Sequence, residues 1–145
     1  MGLVAPAAAK NVDAASERAS LSLVAKGAAA LDKGDLAAAQ RLYETAIVAN
    51  PANAAAFTGL GAAHEARGQA RLARKYYEIA LSIEPSDTAA LSRLARLDLK
   101  EGDRAAATEG LRKLRAFCAA CGETQELSRA LGLGPQDTIP APTDP

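Results

Sequence analysis

Residues 54–87 read AAAFTGLGAAHEARGQARLARKYYEIALSIEPSD, and this stretch decides the fold. Phe57, Leu60, Gly61 and His64 fall on one face of a first helix, and Leu72, Tyr76, Ile79 and Ile83 on one face of a second. Gly68 stands between them, where a residue that tolerates positive φ lets the chain reverse. Pro85 ends the second helix, because proline restricts the residue before it and offers no backbone donor. The stretch is therefore one helical hairpin of 34 residues.

A shift of 34 residues lays this hairpin on its neighbours. Gly34, Gly68 and Gly102 form one series, and Ala39, Ala73 and Ala107 another. Gly27, Gly61 and Ala95 form a third, Tyr43, Tyr77 and Leu111 a fourth, and Pro51 and Pro85 a fifth. The same punctuation recurs with them. Gly34-Asp35 and Gly102-Asp103 pair a turn residue with an N-cap for the next helix, Asn50-Pro51 stops a helix as Glu84-Pro85 does, and Asn53 and Ser86 offer caps. Small residues at Gly27, Gly61 and Ala95, facing Ala39, Ala73 and Ala107, let paired helices approach closely. The helices expected are 13–33, 35–50, 53–67, 69–84, 86–101, 103–120 and a short seventh at 123–131, where Leu127 and Leu131 share a face. The chain thus divides into a terminal segment 1–12, a helical domain 13–132, and a proline-rich tail 133–145 without apolar periodicity, expected to be disordered.

Composition agrees. The chain has 145 residues, 49% of them apolar, enough for one domain that buries about two thirds of its unfolded surface. It contains 37 Ala and 18 Leu against 4 Ile, 4 Val, 5 aromatics and no Trp, which favours helices and excludes a β-sandwich or barrel. Lys and Arg number 17, as do Asp and Glu, so no global charge draws the chain to nucleic acid or an anionic membrane. No segment reaches the roughly 18 uninterrupted apolar residues of a membrane span. The opening Met1-Gly2-Leu3-Val4-Ala5-Pro6-Ala7-Ala8-Ala9-Lys10 ends in the Ala-x-Ala pattern of signal-peptide cleavage without a basic n-region, and is read as the stub of an export signal.

On these residues the chain resembles the tetratricopeptide repeat family, with units at about 20–53, 54–87 and 88–121 and a capping helix at 123–131. Phe57, Leu60, Gly61, Gly68, Ala73, Tyr77, Ala80 and Pro85 of the middle unit stand at the family's signature spacing, with His64 where an aromatic is usual. The first unit has Leu23 and Lys26 at two signature places, and the third has Leu111, Leu114 and no closing proline. End units of stacked arrays decay in this way, because one face has no neighbour to match. The resemblance implies an all-α, right-handed α-solenoid of three helix-turn-helix units with a capping helix. It also implies that the first helix of each unit lines a concave groove that docks an extended or helical peptide. In this sequence that groove is Val24, Ala28 and Leu31, then Thr58, Ala62 and Glu65, then Ser92, Arg96 and Leu99, with Leu21, Ala55 and Ala89 beside them. Glu65 and Arg96 are its polar handles. The plainer alternative is that Leu21, Val24, Leu31 and Leu99 pack against flanking chain. Family members that clasp a C-terminal carboxylate use Lys and Asn side chains, whereas Val24 and Ala28 stand at two of those places and Arg93 and Arg96 are the only remnants, so recognition of acidic chaperone tails is not supported.

Cys118 and Cys121 are the only cysteines. A redox pair requires a thiolate at a helix N-terminus, and these residues fall at a helix end, where the dipole opposes negative charge. A zinc site lacks its second ligand pair. An oxidising compartment favours a structural disulfide pinning the last unit to its cap, and two free buried thiols are the remaining alternative. His64-Glu65 lacks a second histidine at Gly68, so metal hydrolysis is rejected and His64 is assigned to packing. Gly59-Leu60-Gly61 lies inside a helix and is no phosphate loop. Arg71, Arg74 and Lys75, and Arg112, Lys113 and Arg115, read as a solvated outer face, and without interleaved aromatics they make no nucleic-acid platform. The sequence therefore points to an exported, periplasmic, non-enzymatic scaffold for a protein or peptide, without metal or cofactor. A cytoplasmic location and a thiol-disulfide protein using Cys118 and Cys121 are the alternatives.

Overall fold

The structure is a computed structural model that describes residues 12–141. The expected export-signal stub, like the last residues of the tail, lies outside them. Seven helices follow one another: α1 (Ala14–Asp32), α2 (Leu36–Ala49), α3 (Ala54–Ala66), α4 (Ala70–Ile83), α5 (Thr88–Lys100), α6 (Arg104–Cys118) and α7 (Gly122–Ala130). No strand occurs among the described residues. Helices α1 and α2, α3 and α4, and α5 and α6 pair as hairpins; α2 packs on α3 and α4 on α5, and α7 closes the stack against α5 and α6. This is the expected all-α solenoid.

The three hairpins turn by one device. At Gly34 the φ of 76° lets Gly34 N–H reach Leu31 O and Asp35 N–H reach Ala30 O, both at 2.9 Å, so two carbonyls of the ending helix are satisfied. Gly68 and Gly102 repeat it. Asp35 and Asp103 then accept from the amides of Ala38 and Ala106 at 3.0 and 2.9 Å, as N-caps should. The caps between hairpins differ from expectation. Asp87, not Ser86, caps α5 by accepting from Ala90 N–H at 3.0 Å, because Ser86 bonds back to Glu84. Asn53 holds the N-cap place of α3 but makes no cap bond with its side chain. Its Nδ2 donates to Ser20 Oγ at 2.9 Å, and Ser20 in turn donates to Ala46 O at 2.8 Å, tying α1, α2 and the α2–α3 turn in one buried chain.

The close approaches also differ in detail. Gly27 and Gly61 meet tyrosine rings first, and Gly61 also meets Ala73 of the alanine series. Tyr43, 3% exposed, lies with its ring against both Gly27 of α1 and Gly59 of α3. A Cβ at Gly27 would stand 2.8 Å from Tyr43 Cε1, and one at Gly59 would overlap the ring. Gly61 lies in the same way against Tyr77, which is fully buried, with Ala73 O also 3.2 Å from a Cβ placed there. In the third hairpin the roles invert, and Ala95 of α5 faces Gly110 of α6.

Residues 133–141 differ from the disordered tail expected of their composition. Leu133 and Ile139 pack on the cluster of Leu111, Leu114, Leu127 and Leu131, while Arg115 donates to Gly134 O at 2.8 Å and Asp137 O at 2.6 Å. Gly132, with φ 70°, makes the hairpin turn a fourth time. Leu133 stands where the earlier turns have Asp35, Gln69 and Asp103, and Pro135 follows, so the segment runs on without starting a helix.

The tyrosine slots make the glycines testable. Gly61→Leu is expected to cost about 2–4 kcal/mol by overpacking a filled crossing. Gly59→Ala is expected to destabilise by about 1–3 kcal/mol despite alanine's better helix propensity, and Tyr43→Leu in the same chain to relieve part of that loss. Gly122→Ala, where a Cβ meets nothing within 4 Å, is expected to be neutral within about 0.5 kcal/mol. Urea midpoints measure all four.

Candidate functional site

Helices α1, α3 and α5, extended by α7, form a row on one side of the stack. Of the nine residues assigned to a groove by sequence, Ala28 and Arg96 are exposed, Val24, Leu31, Glu65 and Leu99 are half-buried, and Thr58, Ala62 and Ser92 are buried. The structure brings Leu31, Ala62 and Glu65 together around a shallow depression of about 380 Å³, completed by Asp32, Ala66, Arg93 and Lys100. Ser92 and Arg96 border a second, of about 390 Å³, with Ala89, Arg93, Gly122, Glu123 and Glu126. Arg93 stands on the rim of both. Val24 and Leu31 also pack on the cluster around Tyr43 and Leu60, and Leu99 on the C-terminal cluster, so these aliphatics serve the core, whereas Leu21 is 56% exposed. Ala62 is 5% exposed, so bulk introduced there acts on packing before it acts on the groove.

The polar groups of this face are engaged with one another. Tyr77 donates its hydroxyl to Glu65 Oε2 at 2.6 Å, and the same carboxylate lies 3.4 Å from Arg93 Nη1 and 3.7 Å from Lys100 Nζ. Burial first, and the Glu65 carboxylate second, push the Tyr77 phenol well above its ordinary range. Arg96 pairs with Glu126 of α7. Such partly exposed pairs are worth about 0–1 kcal/mol each, so a ligand's charge can replace a partner at little cost. Thr58 Oγ1 lies 2.7 Å from Asp87 Oδ2 and 3.2 Å from Ala54 O, and so holds the α4–α5 turn against α3. Lys100 and Glu126 were not among the sequence-assigned residues, and Arg93 was named only beside Arg96 as a remnant of a carboxylate clamp. The signal for Arg93 was the repeat itself, because it stands at the register of Gly59, where a small residue serves in the preceding unit.

His64 is 7% exposed, with Nδ1 2.7 Å from Gln69 Oε1 and its ring stacked on Tyr76 at 5.3 Å, the packing role read from sequence. The outer basic clusters are not simply solvated. Arg74 bridges Asp98 at 2.7 Å and Glu101 at 2.8 Å, joining the second and third hairpins. Cys118 closes α6 and Cys121 precedes α7, with their sulfurs at bonding distance and Cα atoms 5.4 Å apart. Cys121 therefore occupies a helix N-terminal position, unlike the shared helix end expected. Among the described residues no group of three or more His, Cys, Asp or Glu side chains is placed to hold a metal ion, and no helix is long and apolar enough to cross a membrane.

Three helical hairpins stacked side by side and closed by a seventh helix define an α-solenoid. The tetratricopeptide repeat family model matches residues 54–97. Among solved structures, the chain is similar to the Arabidopsis OM64 TPR domain, at 20% identity and a TM-score of 0.72 over 81% of this chain and 97% of that one. It is similar to the first TPR of Spaghetti (RPAP3) bound to HSP90 peptide SRMEEVD, at 20% identity and a TM-score of 0.70 over 80% and 98%. It is also similar to the Yersinia enterocolitica type III secretion chaperone SycD in complex with a peptide of the translocator YopD, at 23% identity and a TM-score of 0.69 over 83% and 92%. No curated protein matches the chain in sequence. The chain has the fold of these TPR domains, three helical hairpins with a capping helix, and the family's sequence model covers α3, α4 and most of α5.

Because the fold holds the Tyr77 phenol neutral, its contribution is complete below the ordinary tyrosine value near 10 and is lost as pH rises beyond it. Thermal melts are expected to lose stability above about pH 10. Tyr77→Phe is expected to reduce that alkaline slope while costing about 1 kcal/mol at neutral pH through the lost hydrogen bond. An unchanged slope would place the phenol in water.

Proposed function

We propose that the protein is a non-enzymatic scaffold that takes a peptide or a partner helix along the row formed by α1, α3, α5 and α7. The observation that carries this reading is the pair of depressions sharing Arg93. Ala28, Ala66 and Ala89 are small and leave room for a partner's side chains, while Arg93, Arg96 and Glu65 supply charges at the rim that orient it. The solved neighbours bound to an HSP90 peptide and to a YopD peptide support the reading. The only histidine is engaged with Gln69 and Tyr76, which favours a scaffold over a general-base enzyme.

An oxidising compartment, periplasmic or otherwise exported, is the second part of the proposal. The linkage of Cys118 to Cys121 and the Ala7-x-Ala9 pattern support it. One observation favours the rival redox reading, namely Cys121 at the start of α7, where a thiolate is stabilised. Alkylation of reduced protein across pH separates them: a cysteine titrating well below about 7 supports exchange chemistry, and one titrating near its ordinary value of about 8.5 supports a structural bond.

For the groove, peptides selected from a random library on the wild-type chain are expected to lose about tenfold or more in affinity against an Ala28→Arg, Ala89→Arg double variant. They are expected to bind a Glu44→Ala variant of exposed α2 as tightly as wild type, with helicity equal in all three. Binding unaffected by the double variant would move the site elsewhere.

A further inference from the structure

The outer face of α6 carries the most specific contacts that the groove does not use. Arg112 donates to Pro140 O, Arg115 to Gly134 O and Asp137 O, and Arg104 to Leu131 O. All four acceptors are backbone carbonyls. The guanidiniums therefore hold backbone carbonyls rather than a side-chain sequence, those of Gly134 and Asp137 lying at the two ends of a turn in which Asp137 N–H reaches Gly134 O, and the side-chain requirement falls on Leu133 and Ile139, the two residues of the segment that pack on the C-terminal cluster. Between and beyond those anchors Pro135, Gln136, Asp137, Thr138, Pro140 and Ala141 are exposed. Pro135 suits this mode, since its fixed φ favours the second place of that turn and the face asks for carbonyls, not amides.

The seating is incomplete. An apolar depression of about 520 Å³ continues past Pro140 and Ala141 along Ala105 and Thr108, and another of about 260 Å³ opens at Leu133 and Pro135 beside Ala119. A segment ordered by two aliphatic anchors and a few exposed hydrogen bonds recovers little more than its lost conformational entropy, so it can be exchanged for another.

We propose that the outer face of α6 is a second docking surface, for a proline-containing segment that makes a turn and carries an aliphatic anchor, and that the chain's own Leu133–Ala141 masks it in cis. No residue that lines this surface borders the two depressions of the groove, so its test stands or fails independently of that reading.

The probe is a fluorescein-labelled peptide of the sequence Leu133–Ala141, added to the full chain. Ile139→Asp removes an anchor without touching the helical stack, and unchanged helicity checks this. The peptide is expected to bind the Ile139→Asp chain about tenfold or more tighter than wild type, and to lose that binding when Arg112→Ala and Arg115→Ala are added. Amide exchange at Thr138 and Ile139 in wild type is expected to be slower than in the free peptide and to reach the free rate in the Arg112→Ala, Arg115→Ala chain. Equal binding to wild type and Ile139→Asp, binding to neither, or binding that survives loss of both arginines overturns the proposal. A wild-type dimer that Ile139→Asp converts to monomer overturns the cis seating and makes the occupant a second copy.

Discussion

The ring of Tyr43, held between Gly27 of α1 and Gly59 of α3, is the contact on which the stack depends. A ring buried between two helices that lack Cβ atoms lets three helices approach more closely than ordinary side chains allow, and that approach sets both the pairing within the first hairpin and the seating of the second upon it. Tyr77 against Gly61 carries the spacing onward, and the third hairpin reaches the same end with Gly110 against Ala95.

Polar bridges then lock each hairpin in register with the next. Ser20, Ala46 and Asn53 do so at the first junction, and Thr58 with Asp87 and Arg74 with Asp98 at the second. These are the groups that cannot be left unpaired where they lie, so each satisfied bond also disfavours a slipped stack. The row of first helices follows from that register. It sets Glu65 and Arg93 on adjacent helices within reach of one another, and the two depressions meet there.

At the other end no helix follows the last glycine turn among the described residues. Gly132 turns the chain as Gly102 does, but Leu133 and Pro135 follow where an N-cap and a helix would have to begin. The apolar surface of α6 and α7 still requires cover, and Leu133 and Ile139 provide it while Arg115 of α6 satisfies the carbonyls at both ends of the 134–137 turn.

The period of 34 residues, the hairpins, the glycine turns and the Asp35 and Asp103 caps were all legible in the sequence, because each is set within a few residues by backbone hydrogen bonding and φ preference. That Leu31, Ala62, Glu65, Ser92 and Arg96, which border the two depressions, share one side was legible for the same reason, since a repeat in register assigns faces. What the sequence left open was the partner of each long side chain. Asn53 and Thr58 look like helix-start residues and serve as ties; Arg112 and Arg115 look like a solvated face and hold a segment 19 to 28 residues away. Only the tertiary structure decided these, as it decided that Ala62 is covered and Arg93 is central. Local propensity acts through neighbours in the chain, whereas burial and the choice of a charged partner are set by which surfaces the stacked hairpins bring together.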